Sequence, residues 1–261
     1  MSLLEARDLT IGYGHTTVAD GVDLAIEPGT VTCLLGPNGI GKTTLFKTLM
    51  GLIPQLSGTI RLEGDEIAQL SRPRIARHIA YVPQAHPAEF TYTVLDLVVM
   101  GRTAYLGTFG APKQTDYDAA TAALEQLGIS ALAERDSTRI SGGQRQLVLI
   151  ARALAQQSRI VVMDEPTASL DLANRILVLD TVRNLAASGL AVVLSTHEPE
   201  HAFLVADQVA ILGRDRFVTG PVADVLTPSQ LSALYGLPLE VETTPSGRHV
   251  VGPAASDQIQ P

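Results

Sequence analysis

Over the first 35 residues apolar and polar positions alternate, as in Val22-Asp23-Leu24-Ala25-Ile26, and Gly and Pro interrupt the alternation. That pattern predicts short strands. Gly58-Thr59-Ile60-Arg61-Leu62-Glu63-Gly64 alternates in the same way and predicts another strand of that sheet. From about Thr93 to Ala155 the period lengthens. Apolar residues recur at three- and four-residue steps from Ala119 to Leu127 and from Leu147 to Leu154, which predicts helices, the second within a segment running Arg145 to Gln157. Two wholly apolar segments, Ile160–Met163 and Ala191–Leu194, bracket a helix predicted from about Asn174 to Ala187. Strand–helix–strand with strands apolar on both sides implies a parallel sheet buried on both faces. The small and polar residues from Pro253 onward predict a flexible tail, and no internal repeat is visible.

Composition narrows the picture. A chain of 261 residues, 46 % hydrophobic, can bury a substantial core. A net charge of −8 and a pI near 5.2 argue against a nucleic-acid surface, and no Lys/Arg run supplies a local one. The single cysteine, Cys33, sits in an apolar run and reads as a small core residue, so no disulfide forms within the chain. No segment approaches the roughly 18 consecutive apolar residues of a membrane span, and Met1–Glu5 lacks a basic export leader. A soluble protein of a reducing compartment is expected.

The chemistry begins where Val31-Thr32-Cys33-Leu34-Leu35 runs into Gly36-Pro37-Asn38-Gly39-Ile40-Gly41-Lys42-Thr43. A strand followed by G-x-x-x-x-G-K-[ST] is the pattern of a phosphate-binding loop. Its glycines let backbone N–H groups turn onto phosphate oxygens, Lys42 adds a point charge and Thr43 a Mg²⁺-ligating hydroxyl. A helix starting near Gly41 directs its positive end at the same anion. Ile160–Met163 ends in Asp164-Glu165 at the edge of the ligand crevice. Asp164 can reach Mg²⁺ through its water shell, and Glu165 can take a proton from an attacking water. Ser141-Gly142-Gly143-Gln144 reads as a helix start with free backbone N–H groups, a second anion site or an ordinary cap. His197-Glu198-Pro199-Glu200-His201 spells the H-E-x-x-H of zinc peptidases, but the first His ends a strand and Pro199 disfavours helix at Glu198, so zinc chemistry is set aside.

Phosphate loop, Ser-Gly-Gly-Gln, apolar-Asp-Glu-Pro, Ser169-Leu170-Asp171 and His197 follow in the order and spacing of the ATP-binding-cassette (ABC) ATPases, which the chain resembles from about residue 3 to residue 220. Two positions depart from the usual pattern: Ile140 replaces a leucine before the signature, and Ile40 is bulkier than usual in the phosphate loop. The resemblance implies an α/β fold of the P-loop NTPase type. Its mixed sheet core would carry an antiparallel β-subdomain and an inserted α-helical subdomain at about 85–155. The cassette would span 1–226, followed by a C-terminal extension at 227–252 and a tail at 253–261. It further implies that ATP binds on residues 36–43 and Thr44, with Tyr13 stacked on adenine. Thr43, Asp164 and Gln84 would serve Mg²⁺. Glu165 would be the base, and His197 and Gln84 would contact or sense the γ-phosphate and the attacking water.

The family's catalytic site is composite, so the resemblance also implies a head-to-tail pair. Ser141, Gly142, Gly143 and Gln144 of one copy would cover ATP on the other. Asp171 would cross the seam, although by itself it reads equally well as the cap of the following helix. One motif set and no membrane span imply separate permease subunits, an extracytoplasmic binding protein, and residence at the cytoplasmic face of the inner membrane. Tyr92–Arg102, Gly107–Asp116 and Leu147–Arg152 are similar to the importers of iron–siderophore, haem and cobalamin chelates. Ser195–Pro199 is similar to their molybdate/tungstate branch. The segment Tyr92–Arg102 is expected to face the permease, with about half its apolar residues in the core. Soluble ABC ATPases are the other class. Repair types carry long coiled coils between the two motifs and translation types carry two cassettes, and this chain has neither.

Overall fold

The computed structural model describes residues 2–84, 91–106, 110–214 and 216–254. In chain order the strands are β1 (Leu4–Tyr13), β2 (Thr16–Ile26), β3 (Val31–Leu35), β4 (Ser57–Leu62), β5 (Asp65–Glu66), β6 (Ile79–Val82), β7 (Ile160–Met163), β8 (Ala191–Thr196), β9 (Gln208–Leu212), β10 (Phe217–Pro221), β11 (Leu239–Thr243) and β12 (His249–Pro253). The helices are α1 (Lys42–Leu49), α2 (Arg72–His78), α3 (Val94–Val99), α4 (Gln114–Gln126), α5 (Gly142–Ala155), α6 (Leu172–Ala187), α7 (Pro199–Val205), α8 (Val222–Val225) and α9 (Pro228–Tyr235).

Among the described residues three sheets form, ordered β2-β1-β4-β5, β10-β9-β3-β8-β7-β6 and β11-β12. The first is antiparallel, as its alternation predicts. Its strands are longer than expected, because β1 and β2 run 10 and 11 residues by absorbing irregularities in register. In the central sheet β9, β3, β8, β7 and β6 are parallel, and only β10 is antiparallel.

The apolar strands of this sheet are divided by the pleat. Cys33, Leu35, Val161, Met163, Val192 and Leu194 join a core with α5 and α6, while Leu34, Ile160, Val162, Ala191 and Val193 join one with α1 and the antiparallel sheet. The expected burial on both faces is therefore present. Cys33 is fully buried, and desolvation pushes its thiol up to about 12.

Several expectations change in detail. The helical stretch 93–155 is divided into α3, α4 and α5, which pack on one another. Arg102 is buried at the junction, where its guanidinium donates to Asp116 Oδ1 (3.0 Å), the Ala155 carbonyl (2.9 Å) and Gln157 Oε1 (2.8 Å). The helix predicted at Arg145–Gln157 runs Gly142–Ala155, and that predicted at Asn174 begins at Leu172. Pro253 closes β12 instead of starting the tail, whose remainder beyond 254 lies outside the described residues, as do 107–109 of the segment Gly107–Asp116. The hairpin β11–β12 was not expected. It packs on α7 and α9, where the Val251 N–H donates to Glu200 Oε1 (3.3 Å) and the Phe203 and His249 rings lie 4.6 Å apart.

Candidate functional site

Four neighbouring parallel strands, β3, β8, β7 and β6, end on the same side of the sheet. Each delivers one candidate element there: residues 36–43 after β3, His197 after β8, Asp164-Glu165 after β7, and Pro83-Gln84 after β6. Backbone bonds tie the ends together. The Gly36 N–H donates to the Thr196 carbonyl (3.2 Å), and the Asp164 N–H to that of Val82 (2.9 Å). The carboxyl ends of parallel strands are where α/β sheets bind ligands.

Gly41 is the N-cap of α1 at φ +115°, and a side chain there would also strike Val18. Only glycine joins this loop to this helix. Lys42 is buried, and its Nζ donates to the carbonyls of Gly36 (2.7 Å) and Pro37 (3.2 Å) and pairs with Glu165 Oε1 at 3.0 Å. Thr43 Oγ1 donates to Asp164 Oδ2 at 2.6 Å. Tyr81 Oη donates to the same oxygen (3.2 Å) and Ser195 Oγ to Asp164 Oδ1 (2.7 Å). Burial, and then the carboxylate, push the Tyr81 phenol up, so it remains a donor.

Glu165 holds a left-handed backbone, φ +45°, unusual for a residue with a side chain. Its N–H donates to Ser195 Oγ at 2.9 Å. Strain of this kind persists where neighbours over-determine it, commonly at functional sites. His197 lies one residue beyond the end of β8, not within it; its Nδ1 stands 3.5 Å from Glu165 Oε2 and makes no hydrogen bond.

Tyr13 is 54 % exposed at the end of β1, and Thr44 Oγ1 lies 3.5 Å from its hydroxyl. Gln84 is exposed past the end of β6. The structure thus brings Tyr13, residues 36–44, Gln84, Asp164, Glu165 and His197 to one rim.

Ser141, Gly142, Gly143 and Gln144 form a separate unit at the start of α5. Ser141 Oγ accepts from the Gln144 N–H (3.2 Å) and Gln144 Oε1 from the Ser141 N–H (3.1 Å). This reciprocal cap, legible as S-x-x-Q, occupies one N–H that the sequence reading left free. Gly143 is pressed so closely on Asn174 that a Cβ would collide with it. Asp171 caps α6, accepting from the Asn174 N–H (2.9 Å) and Nδ2 (2.8 Å), bonds that hold its carboxyl below the usual range. Among the described residues, no hydrogen bond or ion pair links 141–144 to 36–44, 164 or 165.

The second histidine of H-E-x-x-H is in the first turn of α7 and the first is outside it, with Glu198 as the N-cap. The two rings therefore do not share a helix face. His201 is buried, its Nδ1 3.1 Å from Thr196 Oγ1 and 3.4 Å from Thr167 Oγ1.

The pattern of the family described as ABC transporter matches residues 19–168. The chain belongs to the ABC transporter family. It is 39 % identical over 215 residues to the molybdate import ATP-binding protein MolC of Haemophilus influenzae, covering 82 % of this chain and 80 % of that one. It is 37 % identical to the hemin import ATP-binding protein HmuV of Burkholderia lata, covering 94 % and 97 %. A solved ABC transporter of the metal-chelate type, in an inward-facing conformation, superposes with a TM-score of 0.85 at 33 % identity and 96 % coverage of both chains. The chain is thus an ATP-binding ATPase subunit of an ABC transporter, with the α/β fold of that family. No helix among its described residues is long and apolar enough to cross a membrane.

What the sequence reading missed around the ABC site are supporting side chains. Ser195 and Tyr81, which orient Asp164, are single polar atoms in apolar strands, a weak signal in the sequence. Tyr235, whose hydroxyl donates to the His197 carbonyl at 2.6 Å, gave none.

Proposed function

We propose that this chain hydrolyses ATP to drive a binding-protein-dependent importer of a metal chelate of the iron–siderophore, haem or cobalamin class. The observation that carries the reading is the delivery of a phosphate loop, an Asp-Glu pair, a histidine and a glutamine by four adjacent strand ends. ATP lies with its phosphates on residues 36–44 and its adenine on the exposed Tyr13 ring. Lys42 exchanges its contacts with Glu165 and the loop carbonyls for β- and γ-phosphate oxygens. Released from Lys42, Glu165 orients the attacking water and takes its proton, while His197 contacts the γ-phosphate and Gln84 senses its presence.

Thr43 Oγ1 and Asp164 form a hard-oxygen pair suited to Mg²⁺, which uses one or two protein ligands beside phosphate and water. Gln84 offers an amide oxygen at the next strand end. Thr43, Asp164 and Gln84 would hold Mg²⁺, which would supply positive charge against the phosphate oxygens.

Because no hydrogen bond or ion pair among the described residues joins 141–144 to 36–44, the same residues of a second copy complete the site, and Asp171 reaches across that seam. Residues 1–226 form the cassette, with a helical unit at about 85–155, of which 85–90 and 107–109 lie outside the described residues, and a C-terminal extension at 227–252. A groove of about 360 Å³ between the cassette body and this helical unit includes Leu52, Met100, Gly101 and Gln156. Leu52 and Met100 are exposed beside it, while Val94, Val98 and Val99 are buried. The groove receives the permease and holds the chain at the cytoplasmic face of the membrane, with a substrate-binding protein on the other side.

The similarity to MolC favours a second reading, molybdate or tungstate import. Reconstituting the chain in proteoliposomes with its permease and binding protein decides between them. ATP-dependent accumulation of a ferric siderophore, haem or cobalamin is expected. Accumulation of molybdate alone selects the second reading, and accumulation of none overturns both.

A further inference from the structure

The His197 ring is weakly held by its own contacts: its Nδ1 makes no hydrogen bond and only approaches Glu165 Oε2 at 3.5 Å. Its aim therefore depends largely on the backbone of the short link between β8, which ends at Thr196, and α7, which begins at Pro199. Two successive carbonyls of that link are held. The Thr196 carbonyl accepts from the Gly36 N–H of the phosphate loop (3.2 Å), and the His197 carbonyl from Tyr235 Oη of α9 (2.6 Å). Holding both carbonyls fixes the planes of the peptides that flank the His197 side chain.

Helix α9 is itself secured. Leu231 is fully buried, the Gln230 carbonyl accepts from Arg216 Nη2 (2.9 Å), and Ser232 Oγ accepts from the Leu239 N–H (2.8 Å) at the start of β11. Burial pushes the Tyr235 phenol up, so it remains protonated and donates through the physiological range. The same helix end also faces the phosphate loop, since Tyr235 and Gly236 line a cavity of about 900 Å³ opposite Pro37–Ile40.

We propose that Tyr235 is a positioning residue for ATP hydrolysis: through the His197 carbonyl, the C-terminal extension sets the orientation of the histidine that meets the γ-phosphate. This rests on the reading of His197 given above.

The test is a double-mutant cycle on the full chain, reading phosphate release at varied MgATP. Tyr235→Phe keeps the ring and removes only the donor. Loss of one such hydrogen bond should lower kcat about 3- to 10-fold, with KM for ATP and Tm close to wild type. In a His197→Ala background the same change should have no further effect, because the group it positions is gone. An equal fall in both backgrounds, or none in the wild type, would overturn the role of Tyr235. If His197→Ala alone left kcat unchanged, the γ-phosphate reading would fail first, and the inference with it.

Discussion

Lys42 Nζ and Glu165 Oε1 stand 3.0 Å apart, both largely shielded from water. The two charges that the proposed hydrolysis uses at different moments are therefore paired with each other just beyond the ends of β3 and β7. An incoming triphosphate competes with Glu165 for the ammonium, and the carboxylate becomes free only when the phosphates have taken its place. On the proposed mechanism, binding of the nucleotide and release of the base are one event.

That pairing sharpens the expectation for Lys42→Ala. The substitution removes the cation from the cradle and leaves the Glu165 carboxylate facing the phosphates without it. Truncating one member of a buried charge pair typically costs 2 kcal/mol or more, so ATP affinity should fall at least about 30-fold. Titration with a fluorescent ATP analogue measures it. Affinity equal to wild type would place the phosphates somewhere other than residues 36–43.

Glu165→Gln separates binding from chemistry. Its amide keeps the size of the side chain but removes the base and the charge that holds Lys42. Hydrolysis should fall by about 10²–10⁴, while ATP binds as tightly as in the wild type or more so. With turnover stopped, ATP and the Ser141–Gln144 unit of a second copy should hold a dimer that light scattering detects only when ATP is present. Near wild-type turnover by this variant in the assembled transporter would move the base elsewhere, with His197 the next candidate.

His201 supplies a pH dependence. Desolvation lowers its pKa below the ordinary value of 6.5, with Glu198, Arg175, Glu200 and His197 as the charged or titratable neighbours. A histidine whose folded pKa is depressed contributes stability that is full above the unfolded pKa and is lost as pH falls through the folded one. Melting temperature should therefore decline once the pH drops below about 6.5. His201→Gln, which cannot take up the proton, should flatten that decline. Identical acid limbs for both proteins in a calorimetric series would show that other groups set it.

The phosphate loop, the Asp-Glu pair and the order of the motifs were legible because their chemistry is local: each occupies consecutive residues, and the apolar strand before it is a periodicity signal. The parallel sheet was legible for the same reason, since Ile160–Met163 and Ala191–Leu194 can be apolar at every position only if both faces are covered. The lengths of β1 and β2 were less so, because bulges hide the alternation on which a period-two reading depends. Hairpin β11–β12 escaped as well, being half-exposed and stabilised by what it packs on rather than by its own pattern.

The order of residues alone thus gives the polar groups that follow the parallel strands and their succession along the chain. What each group is bonded to emerges in the fold: Lys42 to Glu165, Thr43, Tyr81 and Ser195 to Asp164, and Tyr235 to the carbonyl of His197. The reason is physical. A hydrogen bond or ion pair needs two groups at about 3 Å and the right angle. No local propensity reports that distance for partners that meet only when the sheet closes and its strand ends line up.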